Sequence, residues 1–572
     1  MRPHRALALA FVFAAAAGAA VFAGPRATRV PAAATHPRLA VLIAVDGLSW
    51  ERMSALRPWF TAGLKRLLDE GAVATQCRYG HLNTETAPGH ASLSTGAPPR
   101  VHGIALNQWY VPSPDGASMQ TIYSASQPLP GEPENSAKMV PGAGRLRVAT
   151  LADRLTMRDP ASKVVSLSNK DRSAIFLAGR DPRHAVYWYS WRSGTYLTSA
   201  AYDAGSPEGL AVARVVARFN AEKAGPNLAA HVGTIWSRLP LPAAPPADGS
   251  RSGFAEFQDA VVGPSFPHDL AAAKRPLPSA VQWTPFADRL LADLALDLLA
   301  DDGVALGRDD TPDVLAVSFS ATDYASHYYG PESIEALEVL RGLDLSIGRL
   351  LDDLAARFGT DGVLVAFSAD HGFLPLPEAT RRADAGAPAL RVRDVTILAQ
   401  LNAAVDAELG RKDQAPLVYR FEGCSLWLDR AALAAAGAPD AERVLGIVKR
   451  ELAGTWKDVI LRTFDVDAAL PARSGDELVM RVSNARVPGR CGDLFAVSRF
   501  GVLVDPYDGK GSSHGTPWEY DTHVPLIFWG GGVGARELTA PSTPYDLAPT
   551  MASWLGLDLP DATGTRLKLW RK

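Results

Sequence analysis

The amino-acid sequence predicts an α/β fold, a three-layer sandwich with a mostly parallel central sheet that carries two insertions. Several short runs are apolar on both faces, as strands covered by helices on either side are. Helical patterns lie between these runs, and this alternation is typical of a parallel sheet with crossover helices. The predicted strands are residues 39–45, 163–167, 314–319, 363–367 and 525–529, and the predicted helices are 58–68, 286–299 and 333–358.

Two regions interrupt the alternation and are predicted to be insertions. Residues 108–282 are aromatic and rich in Pro, Gly and Ser, and residues 374–495 form a second mixed block. Core-like segments recur after each block, which favours insertions over separate domains. We therefore expect one α/β core that consists of residues 38–107, 283–373 and 496–572.

The N-terminus has the layout of a secretory signal peptide. Arg2, His4 and Arg5 precede an apolar run over residues 6–22, and small residues stand before Gly24. This layout predicts cleavage of residues 1–23, a periplasmic or secreted chain, and no stable membrane insertion afterwards. The alternative is an uncleaved membrane anchor, because the run is near the lower length limit of a membrane span.

Charge and cysteine content exclude some classes of partner. The formal net charge of the 572 residues is −3, so no basic footprint indicates a nucleic-acid partner. Cys77, Cys424 and Cys491 have no CxxC spacing, and a thiolate metal site is not expected. One disulfide with one free thiol and three buried reduced thiols both fit this content.

Carboxylates and imidazoles follow three of the predicted strands. The run "LAVLIAVDG" ends near Asp46, "DVLAVSFSATDYASH" supplies Asp323 and His327, and "VLVAFSADHG" supplies Asp370 and His371. Ligands bind at the C-terminal edge of open α/β sheets, so these side chains are expected to meet there. Any one of them alone fits a turn or a helix cap, but the joint pattern favours a metal site.

The residue types narrow the choice of metal. Mixed Asp and His ligands without thiolate suit Zn²⁺, and also Fe or Mn. Sites for Mg²⁺ or Ca²⁺ alone would lack imidazole. Five candidate ligands exceed what one tetrahedral ion needs, which predicts a pair of metal ions.

A threonine in "NTETAPGHASLSTGAPPRVHGI" is a candidate nucleophile. Thr86 precedes Ala87 and Pro88, which predicts the start of a helix. The amides and dipole of a helix N-terminus favour an anion, and a nearby metal activates a hydroxyl group. The alternative is that Thr86 is only an N-cap, a role that threonine performs well.

Together these motifs resemble the alkaline phosphatase superfamily, and the threonine points to its nucleotide pyrophosphatase/phosphodiesterase-like branch. The resemblance spans most of residues 39–556 and includes "GSSHGTPWEYDTHVPLIFWG" and "YDLAPTMASWLG". It implies two Zn²⁺ ions as cofactors. One ion would bind Asp323, His327 and His514, and the other would bind Asp46, Asp370, His371 and the oxygen of Thr86. His90, His102 and His523 lie in matching segments and are assigned structural roles.

Charged residues after the strand at 163–167 favour phosphate monoesters. Lys170 and Arg172 in "VVSLSNKDRSAI", with Asn107 in "ALNQWY", resemble the phosphate clamp of the phosphate-irrepressible alkaline phosphatases, a monoesterase group. A monoester dianion presents three non-bridging oxygens, which two zinc ions do not fully neutralise, and Arg and Lys supply the remaining donors. The alternative is that both are solvated charges beside Asp171.

The resemblance thus implies an exported phosphatase that hydrolyses small-molecule phosphate monoesters. The implied route uses a phospho-threonine intermediate at a di-zinc site and releases inorganic phosphate. One alternative is a nucleotide pyrophosphatase or phosphodiesterase of the same fold, and another is an exported metal-binding protein without turnover. Sulfatases are disfavoured, because Gly89 and His90 follow Pro88 where their Cys/Ser-x-Pro-x-Arg motif requires arginine.

Overall fold

A computed structural model describes the chain over residues 37–128, 139–202, 205–240, 262–263, 266–412, 414–435, 437–468, 474–505 and 511–570. The predicted signal peptide, residues 1–23, lies outside these ranges. None of the described helices combines the length and the apolar character needed to cross a bilayer. All three cysteines are buried and carry no disulfide, which is the second of the two alternatives above.

A nine-stranded central sheet organises the described residues. Its order is Arg536–Leu538, Ala72–Ala74, Leu526–Gly530, Val363–Ala369, Leu39–Val45, Asp313–Phe319, Val164–Ser168, Ala185–Ser190 and Thr195–Leu197. The five strands from Val363–Ala369 to Ala185–Ser190 are parallel. Four of them are predicted strands of the mostly parallel sheet, whereas Ala185–Ser190 lies in the predicted first insertion. Leu526–Gly530 is also a predicted strand, but it runs antiparallel to Val363–Ala369. Its burial on both faces gives no information on direction, because either orientation can be covered by helices.

Helices cover both faces of this sheet and complete the predicted three-layer sandwich. One layer contains Gly63–Glu70, Pro285–Ala300 and Ile334–Gly362, which pack against one another. The other contains Thr86–Thr95, Leu151–Arg158, Asp171–Ala178 and Leu547–Leu555. Strand residues such as Val41, Val317 and Val365 are fully buried between the layers. The predicted fold class is therefore confirmed.

The remaining elements surround this core. The further helices are Trp50–Ala55, Pro99–His102, Pro207–Glu222, Leu228–Val232, Leu277–Ala280, Ala321–Tyr329, Pro377–Ala383, Asp394–Leu409, Arg430–Leu433, Ala441–Ala453, Glu477–Ala485 and Glu519–Thr522. Two-stranded ribbons pair Gln108–Pro112 with Met119–Tyr123, Ser126–Pro128 with Met139–Pro141, Ile235–Trp236 with His268–Asp269, and Leu390–Arg393 with Val502–Asp505.

The two predicted insertions differ in how they relate to the sheet. The strands Val164–Ser168, Ala185–Ser190 and Thr195–Leu197 fall within residues 108–282 and extend the central sheet. The second block holds most of a separate antiparallel sheet, ordered Val418–Glu422, Ser425–Leu428, Leu494–Ser498 and Ile460–Asp465. This smaller sheet shares an apolar core of its own with the helices Asp394–Leu409 and Ala441–Ala453. The domain boundaries stay a prediction.

A buried aspartate on another helix starts the helix Gly63–Glu70. The prediction placed that helix at 58–68, but Arg57–Trp59 forms a short 3₁₀ turn and the α-helix begins at Gly63. Asp344 accepts hydrogen bonds from the backbone N–H groups of Thr61, Ala62, Leu64 and Lys65 at 2.6, 2.8, 2.7 and 3.3 Å. It therefore satisfies donors that the first turn of a helix leaves unpaired.

Replacing Asp344 with alanine is expected to lower the free energy of unfolding by about 3 kcal/mol, since several buried donors lose their acceptor. Urea denaturation measures this loss. Asp352 is the control, because it lies on the same helix and makes an exposed ion pair with Arg66 at 2.9 Å. Its replacement with alanine is expected to cost less than about 1 kcal/mol. Equal losses in the two variants would contradict the capping role.

Candidate metal and phosphate site

The register of the central strands brings the predicted acids to one edge of the sheet. Val45 lies opposite both Phe319 and Ala369, so the chain leaves all three strands at the same level. Asp46 and Asp370 follow directly, and the backbone N–H of Asp46 donates to the carbonyl of Phe319 at 2.8 Å. This edge is the C-terminal end of the parallel strands, where ligands are expected in such a sheet.

One helix and one loop assemble a first group of three ligand candidates. Asp323 lies in the first turn of the helix Ala321–Tyr329, and His327 follows one turn later on the same face. The Nε2 atoms of His327 and His514 lie 3.4 and 3.6 Å from Asp323 Oδ1. Potential ligand atoms of these three residues all lie within 4.8 Å of one another, as a shared metal ion requires.

A second group forms around the acids that follow the two neighbouring strands. Ligand atoms of Asp46, Asp370 and His90 also lie within 4.8 Å of one another. His371 borders both groups, because its Nε2 is 3.4 Å from Asp370 Oδ2 and 3.9 Å from Asp323 Oδ1. Seven residues are predicted to bind metal. Six of them, all except Thr86, belong to these two groups or border them.

His90 contacts this group but its ring nitrogens already have partners. Its Nδ1 donates to the backbone carbonyl of Thr86 at 2.8 Å, and its Nε2 lies 2.8 Å from the hydroxyl of Ser318. His102 bonds Ser92 and the backbone N–H of Ile104, at 3.1 Å each. The ring nitrogens of His90 and His102 therefore make hydrogen bonds within the protein, which agrees with structural roles rather than metal binding.

His523 lies in another environment. Its Nδ1 is 2.5 Å from Glu51 Oε1, and its Nε2 is 2.9 Å from the carbonyl of Thr75. Both ring nitrogens are therefore used in contacts outside the two groups of ligand candidates.

Backbone carbonyls orient the three remaining histidines of the two groups. The Nδ1 atoms of His327, His371 and His514 lie 3.0, 2.9 and 2.8 Å from the carbonyl oxygens of Ser512, Gly372 and Thr84. A hydrogen bond from Nδ1 to a carbonyl leaves the Nε2 lone pair for a metal and fixes the ring direction. In all three, Nε2 is the atom that faces the carboxylates.

Unsatisfied buried atoms support a shared cation. Among the described residues, Oδ1 of Asp46, Oδ1 of Asp323, Oδ2 of Asp370 and Nε2 of His371 have no hydrogen-bond partner, and Oδ2 of Asp46 has only the ion-pair contact with Lys170. Buried polar groups without partners are costly and rare in folded proteins. Two cations bound to these atoms would remove the cost, so the residues present fit a two-metal site.

Burial and Lys170 set the charge of this group. Burial raises the pKa of Asp46, but the positive charges of Lys170 and His90 lower it by more than burial raises it, to about 2. For Asp370, burial together with the charge on Asp46 raises the pKa well above its usual range. Burial lowers the pKa of His371 to about 4, so its imidazole is neutral, which is the form that binds metals.

Thr86 is placed at the helix N-terminus, as the sequence predicts. It begins the buried helix Thr86–Thr95, and the adjacent backbone N–H of Ala87 donates to Asn107 Oδ1 at 2.8 Å. This bond uses the side-chain oxygen of Asn107, so the side-chain amide nitrogen is not the atom that holds Ala87. A Cβ at Gly89 would lie 2.4 Å from the carbonyl oxygen of Asp370, so glycine permits the close approach of this helix to the strand end.

The proposed clamp residues line the same cavity as the first group of ligands. Lys170 Nζ lies 2.5 Å from Asp323 Oδ2 and 3.2 Å from Asp46 Oδ2, and Arg172 lies in the first turn of the helix Asp171–Ala178 that follows. The clamp residues and the first group of ligand candidates border a cavity of about 380 Å³. Its walls include Thr86, Asn107, Lys170, Arg172, Asp323, His327 and His514.

Sequence patterns missed several residues of the same cavity. Glu85, Tyr324, Arg420 and Glu422 also line it. The Lys170 ammonium lies 5.0 Å from the centre of the Tyr324 ring, which is a cation–π distance. Glu85 and Tyr324 adjoin Thr86 and Asp323 in the chain and could have been found by that adjacency. The other two come from the second block through long-range contacts that no local signal marks.

Known proteins with related sequences include bacterial alkaline phosphatases. The family described as type I phosphodiesterase / nucleotide pyrophosphatase matches residues 40–524. Alkaline phosphatase PafA of Elizabethkingia meningoseptica is 29% identical over 95% of this chain and 96% of its own. Alkaline phosphatase PhoD of Zymomonas mobilis is 30% identical over 91% of this chain and 86% of its own.

A solved structure agrees with these matches. The crystal structure of wild-type PafA superimposes with a TM-score of 0.79 at 28% identity, over 94% of this chain and 99% of that one. A second structure of PafA, with a threonine, an asparagine, a lysine and an arginine replaced, gives the same TM-score. The predicted superfamily is confirmed: the chain belongs to the type I phosphodiesterase / nucleotide pyrophosphatase family of the alkaline phosphatase superfamily.

Proposed function

We propose that the chain is an exported, metal-dependent phosphatase that hydrolyses phosphate monoesters through a phospho-threonine intermediate. One observation carries the proposal: the four residues Thr86, Asn107, Lys170 and Arg172 line the cavity that also holds the first group of ligand candidates. A nucleophile, three donors for phosphoryl oxygens and a metal site therefore border one space. Export is supported by the pattern of residues 1–23.

Two Zn²⁺ ions are the proposed cofactors. Asp323, His327 and His514 would hold one ion, and Asp46, Asp370 and His371 would hold the other, next to the Thr86 oxygen. His371 is preferred to His90, because its Nε2 has no hydrogen-bond partner among the described residues while both ring nitrogens of His90 do. When bound, such a pair supplies positive charge that makes a hydroxyl more acidic and stabilises a leaving oxygen.

The residues of the chain carry the remaining steps. The Thr86 hydroxyl gives up its proton to solvent and its oxygen attacks phosphorus in line. The bond from phosphorus to the leaving oxygen breaks, and that oxygen takes up a proton from solvent and departs as the alcohol. Water then attacks the phospho-threonine from the vacated side, which breaks the bond to Thr86 and releases inorganic phosphate. Two successive in-line displacements give net retention at phosphorus. Lys170, Arg172 and Asn107 hold the non-bridging oxygens throughout.

The charge of the clamp favours monoesters over diesters. A monoester is a dianion, whereas a diester has one charge less and a second organic group to place. Lys170 is nearly fully buried, and the Arg172 side chain beside it is one-third exposed, at 33%. Cationic donors placed in this way are stabilised by a dianion and would crowd a diester. Relatives named alkaline phosphatases support the same choice, and the four PafA residue types replaced in the solved variant match the four proposed here.

Replacing Lys170 and Arg172 together with alanine is expected to lower kcat/KM for p-nitrophenyl phosphate by about 100-fold or more, since two donors to the transition state are lost. For bis-p-nitrophenyl phosphate the loss is expected to stay below about 10-fold, because that substrate makes less use of the clamp. Steady-state kinetics with both substrates measures the two losses.

The control variant also removes one lysine and one arginine, but at the opposite edge of the sheet. Lys163 precedes the strand Val164–Ser168, and Arg183 makes an exposed ion pair with Asp181. Their joint replacement with alanine is expected to leave both substrates within about 3-fold of wild type. Equal losses for monoester and diester in the Lys170/Arg172 variant would refute the clamp.

The same assay separates the alternative functions. A phosphodiesterase would turn over bis-p-nitrophenyl phosphate faster than p-nitrophenyl phosphate. A metal-binding protein without turnover would hydrolyse neither, with or without a chelator. The proposed monoesterase hydrolyses the monoester faster, and only in the absence of a chelator.

A further inference from the structure

A buried aspartate outside the proposed site links two of its strand ends. Asp288 lies on the helix Pro285–Ala300 and is fully buried, as Leu290 and Leu291 of the same helix are. Its Oδ1 accepts hydrogen bonds from Asn169 Nδ2 at 3.1 Å and from the backbone N–H groups of Ser320 and Ala321 at 3.2 and 3.3 Å. A buried carboxylate is costly, and its three donors all come from the edge of the sheet that holds the site.

The donors belong to the two segments that carry Lys170 and Asp323. Asn169 directly precedes Lys170, and Ser320 and Ala321 start the helix that holds Asp323. The two segments follow neighbouring parallel strands, Val164–Ser168 and Asp313–Phe319. Asp288 thus joins both with one oxygen atom.

A second contact fixes the same pair of strand ends. Ser168 Oγ donates to the carbonyl of Ser318 at 3.0 Å and accepts from the backbone N–H of Lys170 at 3.0 Å. The backbone of Lys170 is therefore held by Ser168, while Asn169 beside it is held by Asp288. With its backbone held in this way, Lys170 places its Nζ 2.5 Å from Asp323 Oδ2.

We propose that Asp288 is a positioning residue that acts through Lys170. It keeps the Lys170 segment in register with the Asp323 helix, so that the ammonium faces the phosphoryl group at a fixed distance from the metal ligands. The inference rests on the proposed monoesterase function. A displacement of a catalytic donor by about 1 Å can cost on the order of 100-fold in rate, which is why such a support matters.

A double-mutant cycle tests this inference in the full-length, metal-loaded protein. Asp288→Ala is expected to lower kcat/KM for p-nitrophenyl phosphate by about 10- to 100-fold in the wild-type background. In the Lys170→Ala background the same change is expected to cost less than about 3-fold, because the residue through which it acts is already gone. For bis-p-nitrophenyl phosphate the loss is expected to be small in both backgrounds.

Asp313 is a matched control at the opposite end of the same strand pair. It is also fully buried, and it accepts from the backbone N–H groups of Lys163 and Gly307 at 2.7 Å each. Asp313→Ala is expected to lower the melting temperature as Asp288→Ala does. Its effect on kcat/KM is expected to be the same in both backgrounds and for both substrates, which is the behaviour of a structural residue.

Two milder variants cover the case in which Asp288→Ala does not fold. Asp288→Asn keeps an acceptor oxygen and is expected to retain most activity. Asn169→Ala breaks only the link on the Lys170 side and is expected to reproduce the loss and its dependence on Lys170. Losses that are equal in the presence and absence of Lys170, as for Asp313→Ala, would overturn the inference. Failure of the proposed function would be seen separately, as wild-type protein without preference for the monoester.

Discussion

Replacing Thr86 with alanine is expected to reduce turnover of phosphate monoesters by on the order of 10⁴-fold or more, because the attacking oxygen is removed. The helix that Thr86 begins is expected to stay folded. Its contact with His90 uses the backbone carbonyl of Thr86, which alanine retains. Initial rates with p-nitrophenyl phosphate and a thermal melt of the same sample measure both expectations.

The threonine at the other end of the helix is the control. Thr95 is equally buried, and its hydroxyl bonds the carbonyl of Ala91 at 2.6 Å, far from the ligand candidates along the helix. Thr95→Ala is expected to keep activity within about 3-fold of wild type. Thr86→Ser retains a hydroxyl group and is expected to recover part of the rate. Full activity in Thr86→Ala would end the nucleophile assignment.

Removing the metal ions with a chelator is expected to abolish turnover, and adding Zn²⁺ is expected to restore it. Three buried acids, Asp46, Asp323 and Asp370, converge here, and the Lys170 ammonium contacts Asp46 and Asp323. Without further positive charge, a substrate dianion would meet these carboxylates directly. Chelation therefore removes both the binding of phosphate and the activation of Thr86.

The same treatment is expected to lower the melting temperature, because ions that bind only the folded chain stabilise it by mass action. Calcium is expected to restore neither property well, since His327, His371 and His514 offer imidazole nitrogen and Ca²⁺ prefers oxygen ligands. Turnover that persists after complete metal removal would contradict the proposed role of the cations.

The strand ends explain why much of the site was predictable. Asp46 and Asp370 follow strands whose apolar runs are unmistakable, and a parallel sheet places the ends of its strands at one edge. Thr86 was recognisable from the proline that follows at position 88, which is typical of a helix start. These signals are local in the sequence. The acids come together once the strands that they follow are neighbours in the sheet.

Other features depend on contacts that no local pattern encodes. The direction of Leu526–Gly530 is set by its pairing with Val363–Ala369 and not by its own residues. His90 resembles a ligand by distance, and only its contacts with Thr86 and Ser318 indicate a different role. Asp288 is an acid in an apolar helical run, which marks it as unusual but does not reveal its partners.

The metal content of active, purified protein tests the central claim most directly. Elemental analysis of protein prepared without chelator is expected to find two transition-metal ions per chain, with zinc foremost. The variants Asp323→Ala and Asp370→Ala, which each remove a ligand from a different group, are expected to bind fewer ions. Fully active protein with no transition metal would contradict a two-metal site at this edge of the sheet.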